Sequence, residues 1–421
     1  MPEDVVLDED GARLRVDALL RLALGLIESG HPGSGALDIA LSCARALGIG
    51  DVVIVDLGRT LSLQYLLPDG ESVIRTGTAA TFGTVDCRAM KRLHRLVADV
   101  VVGRIGADAL PGALDDVLER PGPPLWWSVA GMTVLAFAVA WQVGVGARAA
   151  AVAAVLQVAS SLVGALAARL GIPRVFGAAT QALLCGPLIV AAHAIGVVTW
   201  VDAAACVGVP WMLIVPLPVL VATVVDAVAE RYGAATARAF VVVLTSGGLA
   251  LGALVVVQLG ARLDIGGSRD LTLPVLPIAL GLLFSAIGAM ANAMANGGGR
   301  DLLIPAAVIG VFTAGVNLVL VHAVGLPADW ATFGAAVTLG FVSAVWSRFV
   351  PYPAAVLALL GITGALLPGL TVYLGIAHEV FRASGGPQFL AAAVTGVGLG
   401  VGVALGERLS RVVPGPVVQD D

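Results

Sequence analysis

Apolar and polar positions follow two regimes along the chain, and the change falls near residue 124. Before it, residues 11–29 (GARLRVDALLRLALGLIES) and 36–47 repeat apolar side chains at helical spacing, and Gly48 suits a left-handed helix end. Two β-rich runs follow, DVVIVDL (51–57) and LSLQYLL (61–67). The turn Pro68-Asp69-Gly70 leads into a third, ESVIRT (71–76), in the manner of a hairpin. Asp86 is placed to cap a helix running to about 103, and a last helix is expected near 106–119. The order ααβββαα predicts a small α+β domain over residues 1–124, ended by Pro121-Gly122-Pro123-Pro124.

Beyond that point the apolar runs become long. A helix needs roughly 20 apolar residues to cross the hydrocarbon core, and helices satisfy their own backbone there. Ten spans are expected, over 125–146, 149–168, 175–198, 203–225, 237–260, 271–295, 302–325, 330–347, 354–377 and 388–406. Trp126 and Trp127 at the start of the first suit a headgroup boundary. The predicted fold class is therefore a polytopic α-helical membrane protein with an N-terminal cytoplasmic α+β domain.

Charge sharpens this division. The 421 residues are 58% hydrophobic and only 13% charged, against about 25% charged in soluble domains. Residues 1–124 hold 12 basic and 18 acidic side chains, and residues 125–421 hold 12 and 11, so the second part cannot face water as a globule. With the amino terminus inside, the inner loops and tail carry eight arginines (169, 174, 231, 238, 300, 348, 408, 411) and the outer loops four (148, 262, 269, 382). That bias favours both termini in the cytoplasm. The acidic start lacks the apolar core of a signal peptide. A net charge of −5 gives no reason to expect nucleic acid as a partner. The four cysteines, two in each part, have no metal-ligand spacing, so neither a metal nor another cofactor is expected.

Ten spans divide five and five, and the halves echo one another. Gly131 and Gly281 lie 150 residues apart, as do the stretches Thr245–Gly252 and Thr395–Gly402; Gly171-Ile-Pro173 and Gly325-Leu-Pro327 lie 154 apart, and Pro216 and Pro368 lie 152 apart. Repeats over 125–260 and 261–421 with an odd number of spans run in opposite orientations, as in many secondary transporters. Pro210, Pro216 and Pro218 mark the fourth span, and Pro368-Gly369 the ninth, which corresponds to it. Interrupted helices at matching places point to a substrate site, although prolines also kink spans simply to pack them.

Ionisable groups at membrane depth are the other candidates. Asp226 ends the fourth span and Arg238 begins the fifth, close enough to pair across the inner loop; His378, Glu379 and Arg382 end the ninth. His193 and His322 read as interfacial residues, Asn292, Asn296 and Asn317 as path-lining or helix-joining groups, and Gly248/Gly252 and Gly398/Gly402 as sites of close helix packing. Gly30-His31-Pro32-Gly33-Ser34-Gly35 precedes a helix whose amides could hold an anion, but a plain helix-to-helix turn is the better reading. The basic stretch Arg88-Lys91-Arg92-Arg95 fits either anionic lipid heads or a solvated helix face.

These features together resemble the threonine/serine exporter family over nearly the whole chain. The likeness is carried by Leu24-Gly25-Leu26-Ile27-Glu28-Ser29-Gly30, by Ala44-Arg45-Ala46-Leu47-Gly48, and by the run to Trp126-Trp127. Pro216, Asp226, Tyr232 and Arg238 match a PG element followed by Asp, Tyr and Arg, and Leu367-Pro368-Gly369-Leu370-Thr371-Val372-Tyr373 resembles the second PG element. Leu217 replaces the first glycine, Gly33-Ser34-Gly35-Ala36 stands where a Thr/Arg-containing motif is usual, and the Asp often found after the first span is missing near 144–149. The chain reads as a divergent member.

The resemblance implies a proton-coupled secondary exporter of small hydroxyl-bearing amino acids, with a related dicarboxylate-exporting branch as the runner-up. Its two halves would rock around a substrate site at Pro216, Pro218, Pro368, Gly369 and Tyr373. Asp226, Arg238 and Glu379 are the expected coupling residues. Expected partners are the amino-acid substrate, protons and the lipid bilayer, and assembly into a homo-oligomer is compatible with this reading. No Walker motif supports ATP drive. A membrane-tethered enzyme using His31, Ser34, Asp38, Cys43 or His94 is the contrasting reading, but no triad spacing or metal cluster links those groups. A passive channel is disfavoured, because no charged filter stands out.

Overall fold

The computed structural model describes residues 8–262, 276–366, 369–380 and 384–413. It opens with α1 (Glu9–Ser29) and α2 (Gly33–Ala46), followed by β1 (Val53–Asp56), β2 (Thr60–Leu66) and β3 (Ser72–Thr78), then α3 (Cys87–Val101) and α4 (Leu110–Leu118). Asp8 caps α1 by accepting from the Gly11 amide at 2.9 Å. Asp86 caps α3 through the amides of Arg88 and Ala89. The strands form one antiparallel sheet in the order β1-β2-β3, and Leu66 pairs with Ser72 across the turn that Gly70 makes with φ 91°. α1 lies across this sheet, burying Val16, Leu19, Leu22 and Leu26 against Leu61 and Leu63. At about 1.5–3 kcal/mol for each large apolar side chain buried, this is a core in its own right.

The rest is helical: α5 (Leu125–Gln142), α6 (Ala147–Arg169), α7 (Arg174–Ala194), α8 (Trp200–Ile214), α9 (Leu217–Val228), α10 (Tyr232–Arg262), α11 (Ile278–Ala295), α12 (Leu303–His322), α13 (Ala328–Trp346), α14 (Ala354–Gly361), α15 (Gly369–Val380) and α16 (Gly386–Leu409). Among the described residues nine helical runs are long and apolar enough to cross a membrane, so this is a multi-pass membrane protein. The ninth expected span departs from a single helix. It comprises α14, a π-helical turn at Ile362–Leu366 and α15. Pro368 lies outside the described residues.

The fourth span is also divided, at Pro216. The proline ring pushes Val215 into an extended conformation (φ −61°, ψ 123°), which ends α8. Pro216 itself has φ −79° and ψ 67°, and Leu217 N donates to Val215 O at 2.8 Å, an inverse γ-turn. Proline alone does not break helices here, since Pro187 and Pro210 stay inside α7 and α8.

Packing partnerships in the first set of membrane helices recur in the second. α5 meets α6 as α11 meets α12, α7 meets α10 as α13 meets α16, and α6 meets α8 as α12 meets α14. Close approach rests on glycine: a β-carbon on Gly248 would strike the Val175 carbonyl of α7, and one on Gly406 the Val337 carbonyl of α13. The tight pairs are thus Gly248/Gly252 and Gly402/Gly406, 154 apart like Pro173 and Pro327, which precede α7 and α13. Gly398, expected in this role, has nothing within 4 Å of its β-position, and neither has Gly281. In so glycine-rich a chain several registers match, and only packing selects one.

The pieces of the divided spans cross between sets: α8 lies against α15, and α9 against α16. α1–α4 and the sheet sit on the end of the bundle where α9 stops and α10 starts. There Cys87 N donates to Asn296 O at 2.9 Å, and Trp127 Nε1 to Gly298 O at 2.9 Å. All four cysteines are buried and free.

Candidate functional site

The densest polar cluster lies where the sheet-bearing unit meets the membrane helices. Asp226 is on the last turn of α9 and Arg238 on the second turn of α10. The connection turns sharply at Glu230, whose φ is +62°, with Arg231 N donating to Asp226 O at 2.8 Å. Arg238 Nη1 donates to Asp226 Oδ2, and both side chains are buried. The pairing expected across the inner loop is therefore present.

Three further groups come from the amino-terminal unit, and two of them belong to the stretch read as a plain turn. α1 ends at Gly30, where φ 102° lets Gly30 N reach Ile27 O and His31 N reach Leu26 O. Pro32 then starts α2, and the first turn of α2 points at α9. Ser34 N donates to Asp226 Oδ1 at 3.0 Å and Ser34 Oγ to the same oxygen at 3.2 Å. The helix start does hold an anion, and the anion is the carboxylate of Asp226. Gly33 is what permits this approach, because a β-carbon there would lie 2.9 Å from Ala234 Cβ. Arg238 Nη2 donates to the His31 carbonyl at 2.6 Å, and its guanidinium lies 5.1 Å from the Phe82 ring centroid.

The third group is Asp56 at the end of β1. Its Oδ1 accepts from Gly58 N at 2.7 Å, while its buried Oδ2 has no partner among the described residues. Burial, and then the nearby Asp226, push this carboxyl above its ordinary range against the opposing pull of the Gly58 amide, Arg238 and Arg231. The His31 imidazole is buried with Nε2 unpartnered among the described residues. Burial first, and then His94 and Arg238, lower it to about 3, so it is neutral near pH 7.

Two more attachments fix the unit. Arg174 at the start of α7 donates to the carbonyls of Phe82 and of Gly83, the latter at 3.2 Å. Lys91 pairs with Asp301, which also accepts from Tyr352 Oη at 2.8 Å, and the ammonium lies 4.8 Å from the Tyr352 ring centroid. Of the basic stretch on α3, Lys91 thus faces protein.

The other expected residues lie apart. Glu379 accepts from Gly385 N at 2.9 Å, just before α16 begins, whereas Arg408 at the far end of α16 donates to Val228 O beside Asp226. About 24 residues of helix at 1.5 Å each separate those ends, so Glu379 does not join Asp226 and Arg238. Arg382 and Pro368 lie outside the described residues. Gly369 opens α15, and of Tyr373 only the backbone, in α15, is described. Pro218 borders a cavity of about 50 Å³ under Gly30 and Pro32, closed by α14 and α16. Sequence reasoning missed Asp56 and Glu407, another lining residue of that cavity. An isolated Asp ending a β-rich run was the available signal for the first, and nothing local flags the second.

Residues 17–260 match the family model ThrE, described as "Putative threonine/serine exporter", and residues 281–410 match a second model described as "Threonine/Serine exporter, ThrE". A curated Mycobacterium tuberculosis protein named "Probable threonine/serine exporter" is 28% identical over 423 residues, covering 96% of this chain and 78% of that one. No solved structure matches.

Proposed function

Because the chain belongs to the threonine/serine exporter family, we propose that it is a proton-coupled secondary transporter moving small amino acids such as threonine and serine out of the cell. Its place is the cell inner membrane, with both termini and the sheet-bearing unit in the cytoplasm. The observation that carries this reading is the division of the fourth span at Pro216, matched by the π turn and second helix of the ninth. Divided spans free backbone groups inside a bundle, where they serve a solute. The recurring helix partnerships and the 154-residue offset of the paired glycines support two opposed five-span copies.

In this mechanism the two sets of helices rock against each other around Pro216, Pro218, Pro368, Gly369 and Tyr373. Asp226 and Arg238 couple that motion to protons. When a proton neutralises Asp226, its bonds to Ser34 and Arg238 weaken, and the amino-terminal unit loosens from α9 and α10. Glu379, at the opposite end, is a separate coupling residue in this proposal. The experiment is flux in proteoliposomes with serine, threonine and succinate, with and without an imposed proton gradient. Gradient-stimulated serine or threonine flux supports the reading; flux of succinate alone, or of nothing, removes it.

A further inference from the structure

The cavity beneath Gly30 and Pro32 has walls from α9, α14 and α16, and α9 and α14 are the inner pieces of the two divided spans. Its lining is apolar, with small side chains at Ala222, Ala355 and Ala358. Glu407 is the one ionisable side chain among the described lining residues. The Glu407 carboxylate has no hydrogen-bond or ion-pair partner among the described residues. Arg408, next to it, turns instead to the Val228 carbonyl at 2.7 Å. A carboxylate facing an apolar cavity loses hydration, which the charge of Arg411, about one turn further on, offsets only in part. At about 50 Å³ the space takes a few water molecules, since one needs roughly 10–15 Å³, or one primary ammonium group.

We propose that Glu407 receives the α-ammonium group of the transported amino acid at the mouth of the bundle, with the Gly30–Pro32 loop as its roof. This rests on the exporter reading for the identity of the solute, but not for the ammonium chemistry. A primary ammonium has three donors for the carboxylate. A second carboxylate would meet Glu407 as a like charge, so the site discriminates against dicarboxylates.

The test is binding of L-serine, ethanolamine and N-acetyl-L-serine to the purified full chain in nanodiscs, alongside serine export from proteoliposomes. Serine and ethanolamine are expected to bind and N-acetylserine, which lacks the ammonium, to fail. Glu407→Gln should weaken both amines by about tenfold or more, the scale of a charge-assisted hydrogen bond, and raise the KM for export, while Glu407→Asp retains most binding. Ala358→Leu, which fills the cavity without touching the carboxylate, should weaken binding as well and stands in if Glu407→Gln does not fold. Binding of N-acetylserine equal to that of serine, or no amine binding to the wild type, overturns the site. If serine export persists with an unchanged KM in Glu407→Gln, the site is wrong and the exporter reading survives. If the wild type exports no amino acid yet binds ethanolamine through Glu407, the site stands and the exporter reading falls.

Discussion

Replacing Asp226 with Asn keeps the shape of the buried junction and removes one charge. Asp226 accepts from Ser34 N, Ser34 Oγ and Arg238 Nη1, and its exposure is 0%. The amide oxygen can still serve Ser34, but its NH2 faces the guanidinium donor to donor, and Arg238, only 2% exposed, loses its counter-ion. Stripping one partner from a buried pair costs about 3–5 kcal/mol. Arg238 keeps the His31 carbonyl and the Phe82 ring, so the lower end, about 3 kcal/mol, applies. At a tenfold change for every 1.4 kcal/mol, undocking of the 30–34 loop becomes roughly a hundredfold more frequent. Amide hydrogen exchange reads this directly, because the Ser34 amide is protected by Asp226 itself. The wild type should protect that amide and Asp226→Asn should lose about two orders of magnitude of protection. Exchange within about threefold of the wild type, in a variant that still elutes as an intact protein, would refute the claim that this carboxylate holds the loop.

The remaining predictions concern titration and packing. His31 is held neutral with its pKa lowered to about 3, whereas an unfolded histidine titrates near 6.5. Its contribution is therefore present above pH 6.5 and declines as pH falls toward 3, by up to about 1.4 kcal/mol per unit; melting from pH 7 to 5 should drop further in the wild type than in His31→Gln, and equal drops would exclude this residue. Asp56 acts with the opposite sign, since its carboxyl is pushed up: its contribution is present at acid pH and lost as pH rises. Asp56→Asn should accordingly raise the melting temperature at pH 8, and a fall there would contradict the assignment. Gly406→Ala should cost about 1–3 kcal/mol through collision with the α13 backbone, whereas Gly398→Ala, with nothing within 4 Å, should be silent; thermal unfolding of the two variants separates the 154-residue register from the 150-residue one.

How far the chain could be read in advance depended on whether the cause was local. α1 and the β2–β3 turn at Gly70 each follow from residues within one or two turns of the event and lie where the pattern put them, whereas of the three prolines marking the fourth span only Pro216 divides it. Asp226 and Arg238 are 12 positions apart across one short connection, so their pairing was legible too. Ser34 meets Asp226 from 192 positions away, and no periodicity carries that information. The stretch around Gly33 was consequently mistaken for a turn without a ligand, although its small residues are what let α2 approach α9. The glycine register failed for a different reason: spacing identifies a surface that permits close contact, and the partner helix decides which part of it is used.

The most direct test joins the roof of the cavity to its wall. Pro32 and Val221 line the same cavity, so Pro32→Cys with Val221→Cys, bridged by a short bifunctional thiol reagent, fastens the loop over the mouth between α9, α14 and α16. The native cysteines are all buried, which keeps the reaction at the introduced pair. Serine flux in proteoliposomes should stop in the bridged protein and return when a cleavable bridge is cut. Undiminished flux with the bridge intact, verified by mass spectrometry, would contradict a transport route that opens beneath this loop.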